Sequence, residues 1–396
     1  MRSLPTDTVK PRPSHARGTP ARVAAARRLA LCAMAAITCV LGWPGTPGAS
    51  GRAARAPSAA APAGSRAARA DAVTAWLPYW EMPAALNSTI ANAGAIGTAS
   101  PYWYYVAGDG RIHGEAGAGS ATVIAELRAH GVQVVPMVTE EAGLRAFAGL
   151  LANATRRAAL TRRLVAVASQ TGVAGLDLDF ESFAYDPGHL TAPANAVATL
   201  YPRLVAQVCR ALHAIGRSCQ VAVMARTGPA SSYAHRDIAT WVYDYRALAV
   251  AADRVQIMAY DYHSPGGPAG PIAPLPWVRQ VIAYARTQGD PSHYELGVPA
   301  YGYEWYGRTS ATAVYARQGA VLAAQVHARP RWNATAGEQT FSYRVNGHRR
   351  IVWYVDARAD LYRARLAAEA GFSGVAVWAA GYEQPELWRQ LGAAHR

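Results

Sequence analysis

From residue 72 onward, short apolar β-rich runs alternate with longer helical stretches, eight times within about 310 residues. Strands that alternate with helices form a parallel sheet, and eight such units predict a (β/α)8 TIM barrel of the α/β class. The predicted strands are Val73–Tyr79, Thr98–Val106, Val132–Val138, Gly175–Glu181, Gln220–Ala225, Arg254–Tyr260, Glu295–Tyr301 and Gly374–Trp378. The predicted helices between them include Ala121–His130, Arg156–Ser169, Val197–Ile215 and Pro276–Gln288.

The interval between the seventh and eighth predicted strands is too long for a single helix. Within it, Phe341–Arg344 and Arg350–Tyr354 flank Val345-Asn346-Gly347. An Asn-Gly pair between two β-rich runs is typical of a hairpin. We therefore expect a small β insertion between strands seven and eight of a single barrel domain that covers residues 71–396.

The first seventy residues differ in composition from the rest. Arg27 and Arg28 precede the apolar run Leu29–Trp43, and Pro and Gly residues end it, as in a secretory signal peptide. The run is short for a membrane span, which needs about 20 residues. We expect residues 1–43 to be a signal peptide, residues 44–70 to be an Ala/Pro/Arg-rich linker or signal tail, and the protein to be secreted. The long basic region before the run leaves an uncleaved N-terminal membrane anchor open.

The formal net charge of +14 is concentrated in the same region. Residues 1–70 hold 11 of the 39 basic residues and one of the 25 acidic ones, so the remainder has 28 basic against 24 acidic. No basic stripe with interleaved aromatics is present there, so we expect no nucleic-acid partner. We also expect no stable membrane partner and a monomeric protein. No His or Cys spacing suggests a metal or cofactor. Beyond the predicted signal peptide, Cys209 and Cys219 remain, and a disulfide or two buried thiols are both open.

The fourth predicted strand alternates strictly between apolar and acidic residues. Side chains at i, i+2 and i+4 share one face of a strand, which places Asp177, Asp179 and Glu181 together. Three neighbouring carboxylates in a low-dielectric interior cannot all ionise, so at least one pKa should be raised, as a general acid at neutral pH requires. In a TIM barrel, such groups at the C-terminal ends of strands form the active site. The alternative is a half-exposed edge strand with an acidic outer face.

The segment Ala174–Glu181 resembles the DxxDxDxE signature of glycoside hydrolase family 18, the chitinase-like barrels. Ala174 departs from it, because the family usually has an Asp at that position. Gln256–His263 is similar to the family's sixth-strand MxYD segment, and Glu295–Gly302 to its seventh-strand LGVPxYG run. Gly374–Trp378 resembles its eighth strand.

The resemblance implies a secreted glycosidase that hydrolyses β-1,4-linked N-acetylglucosamine polymers, chitin or peptidoglycan, with the substrate's own acetamido group as nucleophile. It implies that Glu181 is the general acid and base and that Asp179 orients the acetamido group. Asp177 would share a proton with Asp179, and Tyr260 would hydrogen-bond the acetamido oxygen. The expected substrate contacts are Asp261, Met258, Trp378, Tyr79 and Tyr301.

Several of these residues have a plain structural alternative. Met258 and Trp378 could belong to the core, and Asp261 could cap the following turn. Four further aromatic residues could stack on sugars or simply pack: Trp80, Trp103, Trp305 and Tyr382. At the level of the whole protein, the alternative is a catalytically silent, lectin-like carbohydrate-binding barrel of the cell envelope.

The choice between the two polymers is finely balanced. Asp residues at both 177 and 179 look more like chitinases. The Gly307–Gln339 segment and the aromatic run Trp76–Trp80 look more like the spore-cortex and wall-lytic branch of the family. The sequence therefore favours chitin-type oligosaccharides over wall glycan only slightly.

Overall fold

The computed structural model describes residues 73–185, 192–229, 233–234 and 238–394. The predicted signal peptide and linker lie outside the described residues.

A closed barrel of eight parallel strands forms the centre of the domain. The first half of the domain contains β1 (Val73–Leu77), β2 (Ile96–Val106), β3 (Ile112–Gly114), β4 (Gln133–Val134), β5 (Met137–Glu140) and β6 (Gly175–Asp179). Of these, β3 and β4 pair with β2 and are not counted among the eight barrel strands. The second half consists of β7 (Ser218–Met224), β8 (Arg254–Met258), β9 (Tyr294–Pro299) and β15 (Gly374–Trp378). The order around the barrel is β1-β2-β5-β6-β7-β8-β9-β15, and β15 pairs with β1 to close it. The predicted TIM barrel is confirmed.

Helices connect the strands and cover the outside of the barrel. They are α1 (Met82–Ala91), α2 (Ala121–Ala129), α3 (Gly143–Ala152), α4 (Ala154–Ala168), α5 (Ala192–His213), α6 (Tyr245–Ala251), α7 (Leu275–Arg286), α8 (Ala316–Gln325), α9 (Ala357–Glu369) and α10 (Glu386–Ala394). Side-chain caps fix several starts: the Asp356 carboxylate accepts the Ala359 N–H at the start of α9.

The small β insertion is a second, antiparallel sheet between β9 and β15. Its strands are β10 (Tyr301–Trp305), β11 (Ala311–Tyr315), β12 (Arg331–Asn333), β13 (Glu338–Val345) and β14 (His348–Tyr354), in the order β11-β10-β14-β13-β12. The predicted hairpin joins β13 to β14. Asn346 and Gly347 both have positive φ, 49° and 78°, as a type I′ turn requires.

Several strands end earlier than the sequence predicts, and these differences place the site. Strand β6 ends at Asp179 and β8 at Met258, so Glu181 and Tyr260 lie just beyond the strand ends, at the barrel mouth. The first strand stops before Pro78, which has no N–H for the ladder. Pro136 interrupts the predicted third strand in the same way and divides it into β4 and β5.

Strand β6 is a central strand, which excludes the edge-strand alternative. It pairs with β5 on one side and β7 on the other. Its apolar face turns outward under the helices, where the Phe180 ring that follows the strand lies 5.7 Å from Phe147 on α3 and 6.1 Å from Tyr201 on α5. Cys209 on α5 and Cys219 on β7 form a disulfide, which ties that helix to the next strand.

Candidate active site

The carboxylates of β6 point into the barrel. Asp177 is completely buried and Asp179 is 5% exposed, whereas Glu181 is half-buried at the mouth. Asp177 Oδ2 accepts two hydrogen bonds of 2.8 Å, from Trp76 Nε1 and from Ser100 Oγ. Its other oxygen, Oδ1, is buried and has no hydrogen-bond partner within the part of the chain that the structure describes. That oxygen can therefore carry a proton.

The pKa of Asp177 is raised to about 6. Burial is the largest cause, and the negative charge of Glu295 adds to it, while the hydrogen bonds from Trp76 and Ser100 oppose it. The sequence predicts a raised pKa on this face, and the structure places one on Asp177. The charged group that adds to this rise in pKa, Glu295, lies on β9 and is not one of the carboxylates of β6.

Glu295 lies fully buried inside the barrel, and no role is predicted for it from the sequence. Its Oε2 accepts from Thr74 Oγ1 at 3.0 Å and from Gln256 Nε2 at 2.9 Å. Its Oε1 forms a 2.5 Å ion pair with Arg254 Nη1. Both oxygens are thus satisfied, and the two polar residues Arg254 and Gln256, spaced by two on β8, were the available sequence signal for a polar interior here.

Tyr260 lies beside the acidic residues of the mouth. It is 8% exposed, and burial together with the charges of Asp179, Glu181 and Asp261 raises its pKa well above the usual value. Its hydroxyl therefore stays protonated at physiological pH and can donate a hydrogen bond. Met258, the last residue of β8, is 9% exposed.

Asp261 adopts the left-handed backbone conformation, with φ of 62°, which is uncommon for a residue other than Gly. Its Oδ1 accepts from Tyr301 Oη at 2.6 Å and from Tyr303 Oη at 2.9 Å. Two strand residues of β10 thus fix this carboxylate from the insertion side. Tyr301 is predicted as a site residue from the sequence but Tyr303 is not, although their spacing by two residues puts both on one face of the strand.

Four partly exposed aromatic side chains form an aromatic wall at the barrel mouth: Tyr79, Trp80, Tyr102 and Trp378. The Trp378 ring centroid lies 6.3 Å from those of both Trp80 and Tyr102. Tyr79 meets Trp80 edge to face at 5.0 Å. The wall offers flat apolar surfaces suited to sugar rings.

The other aromatic residues that the sequence leaves open are core residues. Trp103 and Tyr382 are fully buried, and Trp305 is 1% exposed. Tyr382 nevertheless supports the aromatic wall, because its hydroxyl accepts a 2.8 Å hydrogen bond from Trp80 Nε1. Tyr382 also stacks on Tyr315 of the insertion at 3.9 Å.

Two features are absent from the described residues. Across residues 73–185, 192–229, 233–234 and 238–394, no group of three or more His, Cys, Asp or Glu side chains could hold a metal ion. None of the helices within these ranges is long and apolar enough to cross a membrane.

Residues 111–383 match the family model described as glycosyl hydrolases family 18. The chain belongs to this family. It is a glycoside hydrolase, and the resemblance carried by the carboxylate motif is confirmed at the level of the family.

The relatives of this chain differ in how much of it they match. The uncharacterized glycosylase YvbX of Bacillus subtilis is 27% identical over 245 residues, which are 61% of this chain and 67% of the relative. The cortical fragment-lytic enzyme of Bacillus subtilis is 34% identical over 155 residues. That match covers 38% of this chain and 36% of the relative, so the chain spans about a third of that enzyme's length.

Among solved structures, a chitinase from Chromobacterium violaceum superposes with a TM-score of 0.70 at 25% identity. The match covers 82% of this chain and all of that chain. The family match includes β6, β8, β9 and β15, which carry or adjoin the acidic residues and Trp378, but it begins after β1 and β2.

Proposed function

We propose that this family 18 hydrolase cleaves β-1,4-linked glycans that contain N-acetylglucosamine, with retention of configuration. One observation carries the proposal: Asp177 and Asp179 on β6, and Glu181 just beyond its end, lead to the barrel mouth, where Tyr260 and the aromatic wall also lie. A sugar that rests on the aromatic wall would have a proton donor and an acetamide-binding carboxylate on the same side.

The first step would be protonation of the glycosidic oxygen by Glu181 while the 2-acetamido oxygen attacks the anomeric carbon. The bond to the leaving sugar breaks, and an oxazolinium ion forms on the substrate. Asp179 accepts the acetamido N–H and stabilises the positive charge, and the Tyr260 hydroxyl donates to the acetamido oxygen to hold it in line. Water then adds to the anomeric carbon and transfers a proton to Glu181, which regenerates the enzyme.

A proton on Asp177 would give this residue a supporting role. Its Oδ1 has no hydrogen-bond partner among the described residues, and we propose that a rotation of the side chain lets it share a proton with Asp179, the next residue on the same strand face. When the oxazolinium charge develops, the proton can remain on Asp177 so that Asp179 is fully anionic. When no positive charge is present, sharing limits the repulsion between the two carboxylates.

We infer chitin-type oligosaccharides as the favoured substrate and wall glycan as the second candidate. The wall candidate is supported by the similarity to cortical fragment-lytic enzymes. Peptidoglycan carries a lactyl ether and a peptide on alternate sugars, and it needs a more open groove than bare chitin. Both polymers are extracellular, which agrees with the proposed secretion through residues 1–43 and with a monomer that acts in the medium or wall.

A reducing-end assay on the purified protein tests the proposal, with colloidal chitin beside purified cell wall as substrates. Product mass spectrometry identifies the polymer: N-acetylglucosamine dimers support chitin, and lactyl-bearing muropeptides support wall glycan. Binding to either polymer without release of new reducing ends would favour the silent carbohydrate-binding alternative and contradict hydrolysis. The Glu181→Gln variant serves as the inactive control.

A further inference from the structure

Glu140 is a buried carboxyl at the end of β5 that the mechanism above does not use. Its side chain is 2% exposed. Oε1 accepts the Gly143 N–H at 2.7 Å, and Oε2 accepts from Ser182 Oγ at 2.6 Å and from the Phe183 N–H at 3.3 Å. Gly143 begins α3, and Ser182 and Phe183 belong to the turn after β6, so this one carboxyl joins two loops of the barrel mouth.

The turn held by Glu140 begins directly after the proton donor. Ser182–Tyr185 form a 3₁₀ helix, and the Tyr185 hydroxyl at its end returns to within 3.5 Å of Glu181 Oε2. On the preceding side, Tyr243 Oη donates a 2.9 Å hydrogen bond to the Phe180 carbonyl. Glu181 therefore lies between two fixed backbone positions, one of which depends on Glu140.

We propose that Glu140 is a positioning residue for the proton donor, which it aims by holding the Ser182–Tyr185 turn against the end of β5. The inference rests on the proposed function, since it assumes that Glu181 protonates a leaving group. Glu140 does not touch the reacting atoms and acts through the turn alone.

The chemistry of the anchor explains why a carboxyl stands here. Each oxygen of Glu140 accepts a backbone N–H, from Gly143 on one side and Phe183 on the other. A glutamine could accept on only one side, and its amide N–H₂ would face a second donor on the other. An aspartate is one methylene too short to reach both loops. Burial of this carboxyl is unfavourable and raises the pKa of Glu140 to about 7, although its hydrogen bonds act in the opposite direction.

The experiment compares Glu140→Gln with the wild-type protein on two substrates. A tetramer of N-acetylglucosamine has a poor leaving group that needs full protonation, whereas a 4-nitrophenyl glycoside of the same sugar has a leaving group that needs little. A misplaced proton donor should lower kcat on the tetramer by at least about 10-fold and on the nitrophenyl substrate by less than about 3-fold, with KM nearly unchanged. Equal losses on both substrates, or no loss on either, would overturn the inference.

Two further variants keep the test decisive. Ser182→Ala removes one of the three contacts and should show the same selectivity to a smaller degree, even if Glu140→Gln fails to fold. Glu338→Gln is the control for loss of a buried carboxylate elsewhere in the barrel, because Glu338 also accepts backbone N–H groups on both oxygens, from Ile272 and Ala273, and in addition forms a buried ion pair with Arg363. It should affect both substrates equally.

The outcomes also separate this inference from the proposed function. Wild-type protein that cleaves neither substrate would contradict the proposed function and, with it, the role of Glu140. Active wild-type protein combined with an unselective loss in both Glu140→Gln and Ser182→Ala would contradict the positioning role alone.

Discussion

Two buried acidic groups inside the same barrel, Glu295 and Asp177, differ in how fully their oxygens are hydrogen-bonded. Glu295 forms an ion pair with Arg254 and accepts hydrogen bonds from Thr74 and Gln256. Asp177 accepts two hydrogen bonds on one oxygen only, and its other oxygen is buried without a partner among the described residues. Its pKa rises to about 6 by burial, and the charge of Glu295 contributes to the rise.

The difference indicates which buried carboxyl stabilises the fold and which takes part in catalysis. A carboxylate that is matched by an ion pair and by hydrogen bonds from two further strands or side chains, as Glu295 is, acts as an anchor between strands. A carboxyl with one unmatched oxygen can hold a proton and share it, which is what an acid–base site requires. Mutations at the two groups should therefore separate loss of activity from loss of stability.

The largest effect is expected at Glu181. Glu181→Gln should lower kcat by at least about 10²-fold, because the amide is isosteric but cannot deliver a proton to the glycosidic oxygen. Circular dichroism should be unchanged. Glu126→Gln, the same substitution at an exposed position on α2, serves as the control and should keep full activity. A Glu181→Gln enzyme with a tenth or more of wild-type turnover would move the general acid elsewhere.

Along the same strand, Asp179→Asn should reduce kcat nearly as much as Glu181→Gln. The oxazolinium charge then loses its counter-ion. Asp177→Asn should reduce kcat less, since Asp177 acts through Asp179. Steady-state kinetics on one soluble oligosaccharide gives the order directly, and a greater loss in Asp177→Asn than in Asp179→Asn would reverse the assignment of the two aspartates.

Glu295→Gln should mainly affect stability. Removal of the charge leaves Arg254 without its ion-pair partner and turns one acceptor oxygen into an N–H₂ group beside other donors, at a cost of about 3 kcal/mol in the free energy of unfolding. Chemical denaturation measures the loss. Among molecules that remain folded, kcat should change by less than about 3-fold. A loss of turnover as large as that of Asp179→Asn would erase the proposed distinction.

The pH dependence of stability gives a smaller, independent test. Asp177 has a pKa of about 6 in the folded state against an ordinary value of 3.8, so the folded protein binds the proton more tightly than the unfolded chain. The stabilisation is complete below pH 4 and is lost as the pH rises to about 6, by about 2 to 3 kcal/mol. Denaturation curves from pH 4 to 8 should show a shallower fall for Asp177→Asn than for wild type. Parallel curves would mean that Asp177 does not hold this proton.

The sequence predicts the barrel, the β insertion and the inward line of carboxylates because each depends on local periodicity. The spacing of Asp177 and Asp179 by two residues determines their common face wherever the strand lies. The Asn346-Gly347 pair likewise determines its turn without tertiary context. The strand ends are less well predicted, since a predicted strand such as Val132–Val138 hides a proline interruption.

Contacts between distant segments could not be predicted in this way. The charge of Glu295 acts on Asp177 across 118 positions of the chain, and only closure of the barrel brings them together. Glu140 looks like any acidic residue at a strand end until its contacts with Ser182 and Phe183 are seen. Whether a tryptophan stacks on a ligand or packs in the core, as Trp103 does, depends on tertiary structure alone.

The central claim is that the substrate's own acetamido group, oriented by the acidic residues of β6, performs the nucleophilic attack. The most direct test compares wild-type cleavage of the N-acetylglucosamine tetramer with cleavage of its fully deacetylated counterpart at the same concentration, with new reducing ends as the measurement. The account predicts rapid cleavage of the acetylated tetramer and none of the glucosamine tetramer. Comparable cleavage of the two would contradict it, because a carboxylate of the enzyme or a directly activated water would then have to be the nucleophile.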